Sequence, residues 1–149
     1  MRIAVASDHR GFKLKKILIN YLKDKGMETV DFGTYSLEPC DYPDLVYPAV
    51  KAVEERKVER AIVICYSGIG SSIVANRIRG IRAALVLNTK MAVLSRKHND
   101  SNVLVLGAGF IKQEEAKKIV NKWFSTDFEG GRHLRRLKKI GEIEEKENV

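Results

Sequence analysis

Residues Ala61 to Asn76 constrain the chain most. The unbroken apolar run Ala-Ile-Val-Ile leads into Cys65, then a turn carrying Gly68 and Gly70, then a segment of helical character. A short, β-branched, wholly apolar run has the composition of a strand covered on both faces, as in a central parallel strand. The glycines permit backbone conformations and close approaches that a Cβ would obstruct. With the next helix opening at Ser71, the amides of Gly70, Ser71 and Ser72 face whatever lies beyond the strand, and the helix dipole favours negative charge there. That setting suits an activated thiol at Cys65 beside an anionic ligand. The competing reading of the same residues is a buried structural cysteine next to a tight turn.

The 149 residues suit one domain spanning 1–149, enough to bury roughly two thirds of the unfolded chain's surface. No apolar run approaches the ~20 residues of a membrane span. The opening residues Met1 to Asp8 reach a charge at once and do not resemble a signal peptide, so a cytoplasmic protein is expected. Cys40 and Cys65 are far apart and lack metal-ligand spacing, which predicts reduced thiols rather than a disulfide framework. The net charge of +8 is spread over helical segments without interleaved aromatics, which argues against a nucleic-acid surface. Only Arg132 to Lys139 is concentrated, and a small anionic substrate accounts for local basicity equally well.

Apolar β-branched runs at Ile3–Ala6, Thr29–Phe32, Ala61–Cys65, Arg82–Leu87 and Val103–Leu106 alternate with helical patterns. The alternation predicts a single-domain, Rossmann-like, three-layer α/β fold with a five-stranded parallel sheet of order 2-1-3-4-5. Leu14, Ile17, Leu18, Tyr21 and Leu22 recur at helical spacing, and Gly26 falls at the C-terminal cap position. The stripes through Leu45–Val53 and Ala116–Phe124, Trp123 included, read as core. A last helix from His133 toward Glu147 carries Leu134, Leu137, Ile140 and Ile143 on one narrow stripe after Gly130-Gly131, and is expected to reach a second subunit. Residues 33–43 form the one long irregular connection.

In such a sheet the first and third strands are neighbours whose crossovers go to opposite faces, and a ligand crevice opens at their carboxyl ends. Asp8 and His9 follow the first strand there, and Cys65 and Ser67 follow the third. Asp8 alternatively serves only to cap the helix beginning near Gly11. The cluster His98-Asn-Asp-Ser-Asn102 is expected at the same rim, where convergence rather than the lone histidine carries the argument.

Taken together, Ser7–Phe12, Asp41-Tyr-Pro43, Cys65–Gly70, Ala75-Asn76, Gly80–Ala83, Ser95–Asp100 and Glu129–His133 resemble, in order and spacing, the type B ribose-5-phosphate isomerases and the related galactose-6-phosphate isomerase subunits. The resemblance covers nearly the whole chain. It implies aldose–ketose isomerisation of ribose 5-phosphate and ribulose 5-phosphate through an enediolate, with no metal or organic cofactor. It assigns Cys65 as base, and Ser67 (threonine in most members) with His98 to ring opening. The backbone of Gly68, Ile69, Gly70, Ser71 and Ser72 becomes an anion hole. Asp8, Tyr42 and Asn99 fall in the sugar site, and His9, Arg132 and Arg136 in the phosphate grip. It further implies a homodimer, possibly a tetramer, with the pocket shared between subunits. Ser71 and Ser72 supply none of the loop carboxylates that some members use as base. Two departures stand out: Tyr66 at a position usually glycine, and Gly109 where many members carry arginine. A six-carbon sugar phosphate as substrate, or a non-catalytic phosphosugar sensor, is the alternative reading of this pocket.

Overall fold

The computed structural model describes residues 1–149. Eleven elements follow one another as β1 (Arg2–Ser7), α1 (Phe12–Asp24), β2 (Glu28–Asp31), α2 (Tyr42–Glu54), β3 (Arg60–Cys65), α3 (Ile69–Ala75), β4 (Ala83–Leu85), α4 (Thr89–Asn99), β5 (Val103–Gly107), α5 (Gln113–Ser125) and α6 (Arg132–Lys146). All strands are parallel in one sheet.

The two faces of the sheet carry separate cores. Alternate residues Ile3, Val5, Ile62, Ile64, Leu104 and Leu106 pack under α1, α4 and α5, where Leu18, Ile119 and Trp123 are fully buried. Their neighbours Ala4, Ala6, Ala61, Val63, Val103 and Val105 pack under α2 and α3. This is the period-two alternation of a strand covered on both sides. Each large apolar side chain so enclosed contributes about 1.5–3 kcal/mol. The helix α1 closes as its sequence predicts: Gly26 has φ of 78°, and the Met27 N–H donates to the Leu22 carbonyl.

The strand order is β2-β1-β3-β5-β4, a correction to the expected 2-1-3-4-5. All five residues of β5 are buried, whereas β4 has three residues, each half-buried. A strand apolar on both faces is most stable between two others, and the short one is left at the edge. The β1/β3 neighbourhood is as expected: α1 leaves β1 on one face and α3 leaves β3 on the other, opening a crevice at their carboxyl ends.

Candidate active site

Cys65 ends β3, 4% exposed, and its Sγ accepts a hydrogen bond from the Gly68 N–H at 3.2 Å. The turn that allows this depends on Gly68, whose φ of 79° is a left-handed conformation and whose missing Cβ would lie 2.5 Å from Leu85. Helix α3 begins at Ile69, two residues earlier than the sequence suggested. The Ile69 N–H donates to Ser67 Oγ and the Ser72 N–H to the Gly68 carbonyl, while the N–H groups of Gly70 and Ser71 find no acceptor in the chain. Two adjacent free amides beside a thiol that accepts a third form a concave donor set for a negatively charged oxygen. The buried Ser71 hydroxyl is likewise unpartnered.

Asp8 and His9 reach this rim from β1. Asp8 is 6% exposed, and its Oδ1 accepts the N–H groups of Arg10 and Gly11 at 3.0 and 3.1 Å, folding the turn into α1. One oxygen therefore does structural work in the way the capping alternative proposed. The Cys40 N–H donates to His9 Nδ1 at 3.2 Å, so the neutral ring carries its proton on Nε2. No sequence signal pointed to Cys40 as this partner, because the contact spans 31 positions along the irregular segment 33–43. Tyr42, first residue of α2, lays its ring over Gly70; a Cβ there would lie 2.5 Å from the ring. Asp8, His9, Tyr42, Cys65, Ser67 and the 68–72 loop thus share one rim.

The remaining four residues singled out by sequence lie elsewhere, which for His98 and Asn99 corrects the expectation of a common rim. His98 and Asn99 close α4, just ahead of β5. The register pairs Ala61 with Val103 and Cys65 with Gly107. Four residue steps of about 3.3 Å therefore hold Cys65 more than about 13 Å from the end where His98 sits. Strand direction forces this separation: what precedes a parallel strand lies at its amino end. Arg132 and Arg136 join His98 there, on the exposed first turns of α6. The His98 and His133 rings stack with centroids 4.2 Å apart and planes 12° from parallel. Burial, then the neighbouring His98 and Arg132, hold His133 below the ordinary imidazole range.

Much of the polar sequence at this end is structural. Buried Arg96 donates to the Ser101 carbonyl and pairs with Asp100, and the Trp123 Nε1–H donates to Ser101 Oγ, which bonds Ser95. Asn76 ties α3 to β4 by exchanging hydrogen bonds with Ala83. Of the Ser95–Asp100 motif, Lys97, His98 and Asn99 are left with side chains that make no such structural bonds. Donor atoms of His98, Glu129 and His133 lie within 4.8 Å of one another, the one such cluster in the chain. Stacked rings point their lone pairs along parallel planes, so one ion cannot lie in both until a ring turns.

A model of the family described as ribose/galactose isomerase matches residues 3–140. Ribose-5-phosphate isomerase B of Escherichia coli is 42% identical over 147 residues, 99% of either chain. The chain belongs to the ribose/galactose isomerase family. The solved ribose-5-phosphate isomerase B of Clostridium thermocellum, 46% identical, superposes with a TM-score of 0.97 over 98% of this chain and 99% of that one. That of Mycoplasma genitalium, determined with bound ribulose 5-phosphate, gives 0.93 at 40% identity, covering 97% and 96%. Family membership therefore extends over both rims, the carboxyl end with Cys65 and the amino end with His98.

Proposed function

We propose that this protein interconverts ribose 5-phosphate and ribulose 5-phosphate. The observation that carries the reading is Cys65 Sγ bonded to the Gly68 N–H with the free amides of Gly70 and Ser71 alongside. Its family relatives include ribose-5-phosphate isomerases B, one of them solved with ribulose 5-phosphate. Cys65, as thiolate, takes the C2 proton of the open-chain aldose; the carbonyl electrons move to O1, and the enediolate charge develops against the loop amides. Return of the proton to C1, with the O2 proton passing to O1, gives the ketose, and nothing is consumed. Asp8 and Tyr42 bracket the sugar, and the His9 Nε2–H donates to the phosphate.

The site is completed by a second copy of the chain. A homodimer brings the amino rim of one copy, with His98, Asn99, Arg132 and Arg136, over the carboxyl rim of the other. His98 then acts with Ser67 in opening the furanose, and the two arginines, four apart on one helical face, clamp the phosphate. The face that supports this pairing is the edge strand β4 with its flanks, where Ile69, Ile73, Leu87, Met91 and Leu94 are exposed. No helix is long and apolar enough to cross a membrane; with Cys40 and Cys65 as free thiols, a cytoplasmic setting fits.

A coupled assay offering ribose 5-phosphate, allose 6-phosphate and galactose 6-phosphate, with a chelator present, tests the reaction. The expected result is highest kcat/KM on ribose 5-phosphate, unchanged by the chelator. Turnover of a six-carbon sugar alone would reassign the substrate, and no turnover of any would leave a phosphosugar-binding protein.

A further inference from the structure

Arg10 follows His9 in the turn between β1 and α1, and its side chain crosses toward β3. Its guanidinium carbon lies 3.9 Å from the centroid of the Tyr66 ring, the residue directly after Cys65. Phe110 meets the same ring edge-on, centroids 5.7 Å apart. A Cβ built on Gly109 would fall 2.2 Å from Tyr66 Cε2, so the ring fills the space that any side chain at 109 would need. Tyr66 is therefore held between Phe110, the bare backbone of Gly109 and the Arg10 guanidinium.

What this arrangement leaves free are the guanidinium's donors. Arg10 forms no ion pair, and its side chain donates to no group in the chain; its one polar contact is the backbone N–H to Asp8. A guanidinium stacked on an aromatic face keeps its donors in the plane of the fork, and the stack has already removed side-chain freedom that binding would otherwise cost. Arg10 and Lys13 share a depression of about 280 Å³ with Leu14, Ile17, Ala108 and Gln113, and no carboxylate lines it. The local potential is positive and the donors are unpaired, so the matching ligand group is a compact multivalent anion.

Resting on the isomerase reading above, we propose that Arg10, held on the Tyr66 ring, anchors the substrate's phosphate at the Cys65 rim, and that Gly109 is the residue that makes room for the stack. Arg10 is thereby a binding residue, and Tyr66 a positioning residue acting through it. The anchor grips a group remote from the reacting carbons, so it holds ground state and transition state alike.

Steady-state kinetics on ribose 5-phosphate, with inorganic phosphate as competitive inhibitor, test this in wild type, Arg10→Ala, Tyr66→Leu and the double variant. Arg10→Ala is expected to raise KM and the phosphate inhibition constant about tenfold or more, with kcat within about threefold. Tyr66→Leu removes the aromatic face and is expected to raise both about two- to fivefold, an effect that disappears in the Arg10→Ala background. Unchanged KM and phosphate inhibition in Arg10→Ala would overturn the proposal, as would an undiminished Tyr66→Leu effect in the double variant. If the wild type turned over no pentose phosphate, the isomerase reading would fail by itself. Calorimetric titration with inorganic phosphate would still decide on Arg10: binding weakened in Arg10→Ala supports the anchor, and equal or absent binding in both proteins refutes it.

Discussion

The two ends of the sheet are built on different principles. At the carboxyl end, Cys65, Asp8 and the 68–72 loop are held by strand termini and by backbone hydrogen bonds among themselves, and the key atoms are buried. At the amino end, His98, Arg132 and Arg136 stand on helix ends and are half-buried or exposed, and one buried imidazole, His133, fixes their scaffold from below. A preorganised donor set suits charge that develops during reaction, while exposed arginines suit a phosphate that arrives already charged. On the proposed reading, proton abstraction falls at the carboxyl end, while the amino end adds the arginines of the phosphate grip and His98 for ring opening.

That division sets the order of expected effects. Cys65→Ala should lower kcat by about a thousandfold or more, since it removes the acid–base group outright. KM should stay near wild type, and Cys40→Ala should remain active. Near-normal turnover by Cys65→Ala, in protein shown free of host isomerase, would remove the chemistry from the carboxyl rim.

At the other end, Arg132→Ala and Arg136→Ala should each raise KM for ribose 5-phosphate about tenfold while kcat falls less, because each loses a charge-assisted bond that persists through the reaction. Equal losses in kcat with KM unchanged would place these arginines in the chemistry and dissolve the contrast between the ends.

The smallest effect concerns pH. Burial favours neutral His133, so the unfolded chain takes up a proton at about pH 6.5 that the folded chain refuses. Stability should therefore fall as pH drops through the unfolded value and level off below the lower folded one. His98, Arg132 and Arg136 reinforce that refusal, while Glu129, 3.9 Å away, opposes it. The melting temperature of His133→Phe, which keeps a ring against His98, should depend less on pH between 7.5 and 5.5 than that of wild type. Identical slopes would show that His133 titrates freely.

How far each end was legible follows from what a sequence pattern encodes. The apolar run Ala61–Ile64 of β3, the glycine turn and Asp8-His9 are local signals, and they placed the carboxyl rim correctly. The helical stripes likewise placed Trp123 in the core and Gly26 at a cap. Strand order was not local: past Arg82 the run Ala83–Leu87 reads as apolar as Val103–Leu106, and only burial on both faces tells that β5 lies inside and β4 at the edge. The placement of His98 needed no side-chain signal, only strand direction, which assigns residues ahead of β5 to the amino end. The stack of His98 on His133 and the packing of Tyr66 against Gly109 and Arg10 join residues remote in sequence and carry no periodicity at all.

Two rims, more than about 13 Å apart in one chain, are expected to form one site between two chains. Mixing Cys65→Ala with His98→Ala, each expected to be inactive alone, tests it directly. In a mixed dimer one pocket carries both lesions and the other carries neither. With equal amounts and full exchange about half the dimers are mixed, so about a quarter of wild-type activity should return, in step with exchange followed by native mass spectrometry. Complete exchange with no recovered activity would show instead that the pocket draws both residues from a single chain, or that His98 takes no part.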